Sequence, residues 1–160
     1  MRALLWITEN TWESCVDHAR EFLPDDAELA LLHVSPTDVE ELVTAGPARL
    51  LGRHPRPHPG PPLVAIAAEE AETLLKAARA RLARPAELLA RRGRIESTVV
   101  AACAGVDLLV LARDGELRLG PPSLGPRTRF VLDHAPCQVL LVWTSQPPGP
   151  ETTRPPRHRR

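Results

Sequence analysis

Short, nearly continuous apolar runs alternate along this chain with longer stretches in which apolar residues return every three or four places. The short runs predict strands buried on both faces: residues 3–7 (ALLWI), 29–34 (LALLHV), 108–111 (LLVL) and 138–143 (QVLLVW). The longer stretches predict helices. From Thr11 onward, Trp12, Cys15, Val16, Ala19, Phe22 and Leu23 fall on one stripe, which residues 24–26 (PDD) end. Residues 66–82 carry Ala67, Ala71, Leu74, Leu75, Ala78 and Leu82 inward and Glu69, Glu70, Arg79 and Arg81 outward, with Pro85 closing the helix. Residues 95–104 predict a short helix with Val99, Val100 and Cys103 inward, and residues 127–134 another. Residues 86–90 (AELLA) are ambiguous: propensity alone favours helix, while their place in the order suits a third strand.

Two stretches fit neither pattern. Residues 35–64 form a long connection with a proline-rich centre at 54–62 (HPRPHPGPP). A short helix is expected within 37–51. The centre is expected to be non-helical, because each proline lacks an N–H and restricts its predecessor. Residues 145–160 (SQPPGPETTRPPRHRR) have almost nothing to bury and are expected to be disordered. One domain over residues 1–144 is therefore expected, with a proline-rich insertion at about 35–65 and a Pro/Arg-rich tail at 145–160.

Alternation of strand and helix with continuous apolar strands predicts an α/β domain, a parallel sheet covered by helices on both faces. In such doubly wound sheets ligands sit at the strand C-termini where the strand order reverses. Two loops leave strand C-termini in a way that merits chemistry: residues 8–11 and residues 112–126.

Composition narrows the function. Twenty Lys+Arg balance twenty Asp+Glu, so no whole-molecule charge points to nucleic acid or a membrane, and the short basic end RPPRHRR is expected to be solvated. No segment reaches the ~20 apolar residues of a membrane span. The cysteines, Cys15, Cys103 and Cys137, are odd in number and far apart, with no C-x-x-C. Reduced thiols in a cytoplasmic protein are the expectation.

The loop in LARDGELRLGPPSLGPRTRFVLDHAPC, residues 111–137, carries three glycines, two adjacent prolines and four arginines before a helix. Glycine lets backbone N–H groups approach an anion, and a helix N-terminus attracts one. The surrounding blocks VDLLVLARDG, LGPPSLGPRTRFVLDHAPCQVLLV and GRIESTVVAAC resemble the universal stress protein family over roughly residues 2–143. The resemblance makes residues 86–90 a strand. It implies an α/β/α sandwich with a five-stranded parallel sheet of order 3-2-1-4-5, the adenine-nucleotide alpha-hydrolase-like architecture. It also implies dimerisation and, in one branch, ATP binding through G-x2-G-x9-G-[ST]. On this chain the first glycine of that pattern is Ala112, the second Gly115, the third Gly125, and the Ser/Thr is Pro126; a later hydroxyl is kept as Thr128. The aspartate usual after strand one is Thr8, and Val34 matches a backbone position that contacts adenine.

Each candidate also has a plain structural reading. Gly115 and Gly125 are a phosphate cradle or turn glycines. Pro126 removes one donor, worth roughly 1.5–3 kcal/mol for a bond to a charged group, yet suits a first helical position. Ala112 is a penalty if that position needs positive φ. Among Arg113, Arg118, Arg127 and Arg129, Arg127 is the best phosphate candidate, against a solvated role for each. Asp114 holds Mg²⁺ with a nucleotide or caps the loop. His33 and His134 are read as structural, His54 and His58 as a poor metal pair, and Cys137 as lacking a base. No nucleophile–base pair or H-x-G-H stretch argues for an enzyme. The expectation is a regulatory or stress-response binding protein whose degenerate site takes ATP weakly or not at all, and Mg²⁺ only with nucleotide. Its site residues are Thr8, Val34, Ala112, Arg113, Gly115, Gly125, Pro126, Arg127 and Thr128. The rival is a dimeric scaffold acting through an unknown protein partner, and a nucleotide-hydrolysing enzyme is the third reading. In either case a homodimer through residues 138–143, from Gln138 to Trp143, is expected.

Overall fold

The structure is a computed structural model and describes residues 1–37 and 61–153. The expected helix within 37–51, nearly all of the proline-rich centre and tail residues 154–160 lie outside the described residues. Five strands, β1 (Arg2–Trp6), β2 (Glu28–Pro36), β3 (Glu87–Gly93), β4 (Leu108–Ala112) and β5 (Gln138–Val142), form one parallel sheet of order β3-β2-β1-β4-β5. Among the described residues four helices join them: α1 (Trp12–Phe22), α2 (Pro61–Leu82), α3 (Ile95–Ala102) and α4 (Pro126–His134). This is the doubly wound α/β/α sandwich that the alternation predicts.

The fully apolar strands serve two cores at once, because successive side chains point to opposite faces. Ala3, Leu5 and Ile7 join Leu29, Leu31 and Val110 beneath Cys15, Val16 and Ala19 of α1 and Leu75, Ala78 and Leu82 of α2. Leu4 and Trp6 join Ala30, Leu32, Val34, Leu109 and Leu111 beneath Val99 of α3 and Val131 of α4. The start of β1 is held to β4 by Asp107, whose carboxylate accepts the Arg2 N–H at 2.7 Å while its own N–H donates to the Arg2 carbonyl at 2.9 Å.

Two local expectations are corrected. Phe22 leaves the inward stripe and is 60% exposed; as the last helical residue of α1 it stacks on His18 one turn back, with centroids 6.0 Å apart. Pro61 and Pro62 belong to α2 instead of an irregular centre. A first helical turn tolerates proline because its missing N–H has no intrahelical partner there. The third strand stands as expected: β3 runs along β2 from Ala30↔Glu87 to Pro36↔Gly93, and this pairing overrides helical propensity. Within the tail, residues 150–152 form one 3₁₀ turn, with Thr152 N–H on the Gly149 carbonyl at 3.0 Å.

Candidate functional site

The chain builds outward through β1, β2 and β3, then returns to place β4 on the other side of β1. At that reversal the loops after β1 and β4 diverge, and a cleft of about 380 Å³ opens at the strand C-termini. Its apolar wall comes from Trp6, Val34, Pro36, Ile95 and Ala112. Its polar groups are Thr8, Glu9, Asn10 and Thr11 from the β1–α1 turn, His33 from β2, Asp114, and Arg127 and Thr128 from the start of α4.

The β1–α1 turn is fixed locally. The Thr8 carbonyl accepts from Thr11 N–H at 3.3 Å and Trp12 N–H at 3.1 Å, and the Thr8 and Thr11 hydroxyls lie 2.7 Å apart. Thr8 thus spends hydroxyl capacity on Thr11. His33 is 8% exposed, and its Nδ1 lies 2.8 Å from the Ile7 carbonyl. A carbonyl only accepts, so Nδ1 carries the proton and donates; neutral His33 then has its acceptor lone pair on Nε2.

The loop after β4 does something other than wait for an anion. Asp114 Oδ1 accepts the Gly125 N–H at 2.7 Å, and Asp114 Oδ2 accepts the Thr128 hydroxyl at 2.8 Å. Gly125 is the residue that caps α4, and Thr128 is 2% exposed. A carboxylate at a helix N-terminus is favoured by the free N–H groups and the dipole. Pro126 follows at the first helical position and brings no N–H. Gly125 has φ −67° and needs no glycine conformation. The space a Cβ would fill is taken by the Asp114 carboxylate, whose oxygens would lie 2.8 and 3.1 Å from it.

Gly115 does not line the cleft. Its N–H donates to the Ser123 carbonyl at 3.0 Å, and a Cβ there would stand 2.2 Å from the Pro122 carbonyl oxygen. It is glycine because the loop folds back against it. Ala112 ends β4 opposite Val142, with no positive φ. The penalty attached to losing glycine at that position does not arise.

All four loop arginines have partners within the protein. Arg113 lies over the Trp143 ring, 4.4 Å from its centroid, and its guanidinium donates to the Ser123 hydroxyl. Arg118 pairs with Glu116 at 3.6 Å, and Arg129 donates to the Pro121 carbonyl at 2.6 Å. Arg127 reaches Glu96 at 4.0 Å. Glu96 also accepts from Arg94 at 2.5 Å, and that bond chiefly holds its carboxyl below the usual range. Of the nine expected site residues, Thr8, Val34, Ala112, Arg127 and Thr128 line the cleft; Arg113, Gly115, Gly125 and Pro126 do not. Glu9, Asn10 and Thr11 line it from the loop at 8–11, and Trp6, Pro36 and Ile95 line it from outside both loops. Only the strand order brings them together.

Other chemistry is sparse. Burial pushes the Cys15 and Cys103 thiols up to about 12, the second also through its neighbour Cys137. Among the described residues no three His, Cys, Asp or Glu side chains gather as metal ligands; His54 and His58 lie outside them. No helix among the described residues is long and apolar enough to cross a membrane.

The class so defined is an α/β/α domain of strand order 3-2-1-4-5 with a cleft at the reversal. Solved structures share it across nearly their whole length. Hypothetical protein MJ0577 covers 91% of this chain and 96% of its own at 20% identity, with a TM-score of 0.66. A universal stress protein solved in complex with cAMP covers 91% and 98% at 17% identity, TM-score 0.57. A universal stress protein family protein from Arabidopsis thaliana, solved with AMP bound, covers 91% and 93% at 13% identity, TM-score 0.59. No protein-family model and no curated protein matches the sequence. The fold is that of universal stress proteins.

Proposed function

We propose that this protein is a universal-stress-protein-like regulatory binding protein, cytoplasmic, whose cleft takes an adenine nucleoside and holds its phosphates poorly. The observation that carries this reading is the cleft's division. An apolar wall of Trp6, Val34 and Ile95 suits a planar base, and the hydroxyls of Thr8 and Thr11 with Asn10 suit a sugar. The phosphate end does not fit. Pro126 supplies no N–H, and Gly125's is committed to Asp114. Structures of the same fold hold cAMP in one case and AMP in another, which supports an adenine ligand. Three unpaired cysteines accord with a reducing compartment.

Calorimetric titration with MgATP is expected to give nothing tighter than about 100 μM, near −5.5 kcal/mol. Adenosine is expected to shift the Trp6 indole and Val34 methyl resonances. A low-micromolar Kd for MgATP overturns the weak phosphate site, and adenosine that leaves those resonances unmoved overturns the cleft assignment.

A second reading, a dimeric scaffold working through protein partners, draws on a different observation. β5 is an edge strand on which Val139, Leu140 and Leu141 are all half-exposed. We propose that this edge pairs two subunits under either reading.

A further inference from the structure

The cleft contains its own anion. The Asp114 carboxylate takes the Gly125 N–H and the Thr128 hydroxyl, two groups at the start of α4 that an incoming phosphate would use. It is not a side chain that swings aside at no cost. The backbone on its C-terminal side is pinned by Gly115 N–H on Ser123 and Glu116 N–H on Pro122, at 3.0 and 2.8 Å. Its carboxylate also occupies the space left by the missing Cβ of Gly125.

Among the described residues the charges that line the cleft do not compensate: Glu9 lines it beside Asp114, Arg127 is the arginine that lines it, and Arg127 also approaches Glu96, which Arg94 bonds. The other loop arginines engage Trp143, Ser123, Glu116 and Pro121. A phosphate placed here meets like charge at short range and finds its best donor already bonded. A sugar hydroxyl meets the reverse situation, because each carboxylate oxygen accepts more than one bond and the hydroxyl donates.

We propose that Asp114 is a specificity-determining residue, a built-in anion that makes the cleft select an uncharged nucleoside over its phosphorylated forms. This rests on the reading of the cleft as a nucleoside site and names its ligand class more narrowly.

The test uses the full chain, isotopically labelled, with adenosine, AMP and inorganic pyrophosphate as probes. Affinities are measured by calorimetry, and the Gly125 and Thr128 amides are followed by NMR. In the wild type, adenosine binds at least as tightly as AMP, and pyrophosphate leaves Gly125 unmoved. In Asp114→Ala, AMP affinity rises about tenfold or more, adenosine affinity changes by less than about threefold, and pyrophosphate shifts Gly125. Asp114→Asn, which keeps the shape and removes the charge, gives a smaller rise and serves if the alanine variant folds poorly. A wild type that prefers AMP tenfold, or an AMP-to-adenosine ratio unchanged in both variants, overturns the proposal. If neither adenosine nor AMP binds any form, the nucleoside reading and the proposed selectivity both fall. Pyrophosphate reaching Gly125 only in the variants would then still place Asp114 in the anion position; pyrophosphate reaching it in none would remove that as well.

Discussion

At the scale of single residues, two loop glycines with the same spacing logic serve different ends. Gly125 leaves room for the Asp114 carboxylate, and Gly115 leaves room for the backbone of Pro122 and Ser123. The second is a packing constraint, so its replacement is read in stability. Gly115→Ala is expected to destabilise the fold by about 1–3 kcal/mol, the usual cost of forcing volume into a packed site. Urea denaturation checks this. An alanine variant as stable as the wild type would show that the loop moves aside, and the fixed position of Asp114 would lose its support. The glycine pattern was legible in the sequence, but its purpose was not. Spacing says that two glycines flank a turn; it does not say whether ligand or protein fills the space beside them.

At the scale of elements, the α3 start is tied to the α4 start by one acid. Glu96 in the first turn of α3 bonds Arg94 at 2.5 Å and approaches Arg127 at 4.0 Å, with its side chain 13% exposed. Its carboxyl lies below the ordinary range, chiefly through the Arg94 hydrogen bond. Asp17 of α1 is lowered likewise, chiefly by a hydrogen bond from Arg81 of α2. A lowered carboxyl adds stability that is complete above its unfolded pKa and is lost as pH falls through its folded one. Stability is therefore expected to drop between about pH 5 and pH 3. Glu96→Gln should cost roughly 1 kcal/mol near pH 5 and shrink that drop. Denaturation curves of both proteins at the two pH values decide it; an equal drop in each would remove Glu96 as a source. Element identity was read well where periodicity was strong, as in α2 and the four continuous strands. It was ambiguous at β3, where Leu88, Leu89 and Ala90 have helical propensity and only pairing with β2 makes them extended.

At the scale of the whole molecule, the sheet ends differently on its two sides. The β3 edge exposes Glu87, Arg91 and Arg92, charges that discourage further pairing. After Gln138 the β5 edge is apolar, with Val139, Leu140 and Leu141 only half covered. We expect a homodimer at micromolar concentration, two β5 strands meeting about a two-fold axis. Sedimentation equilibrium on the wild type and on Leu140→Lys and Leu141→Lys tests it. These two side chains lean toward opposite helical layers, so one of them should meet a seam on either face. Val142 is unsuitable because it is 4% exposed within the subunit and lysine there would unfold it. A monomeric wild type overturns the assembly, and a dimer indifferent to both substitutions moves the interface off β5.

The sequence by itself determined the class of fold. Unbroken apolar runs cannot be solvated on either face, so they dictate a sheet covered on both sides, and strand–helix alternation makes it parallel. It also pointed to the two loops whose residues line the cleft, since loops at strand C-termini follow from that architecture. The tertiary structure decided which residues of those loops meet. Trp6, Val34 and Ile95 share a wall only because β4 returns beside β1. Asp114 faces Gly125 and Thr128, eleven and fourteen residues away, only because the loop between them folds back on Gly115. Hydrogen bonds and charges act over a few ångströms in space, whatever their separation along the chain. A short pattern therefore records that a loop has the parts of an anion cradle, and only the folded loop shows that its own carboxylate already sits in it.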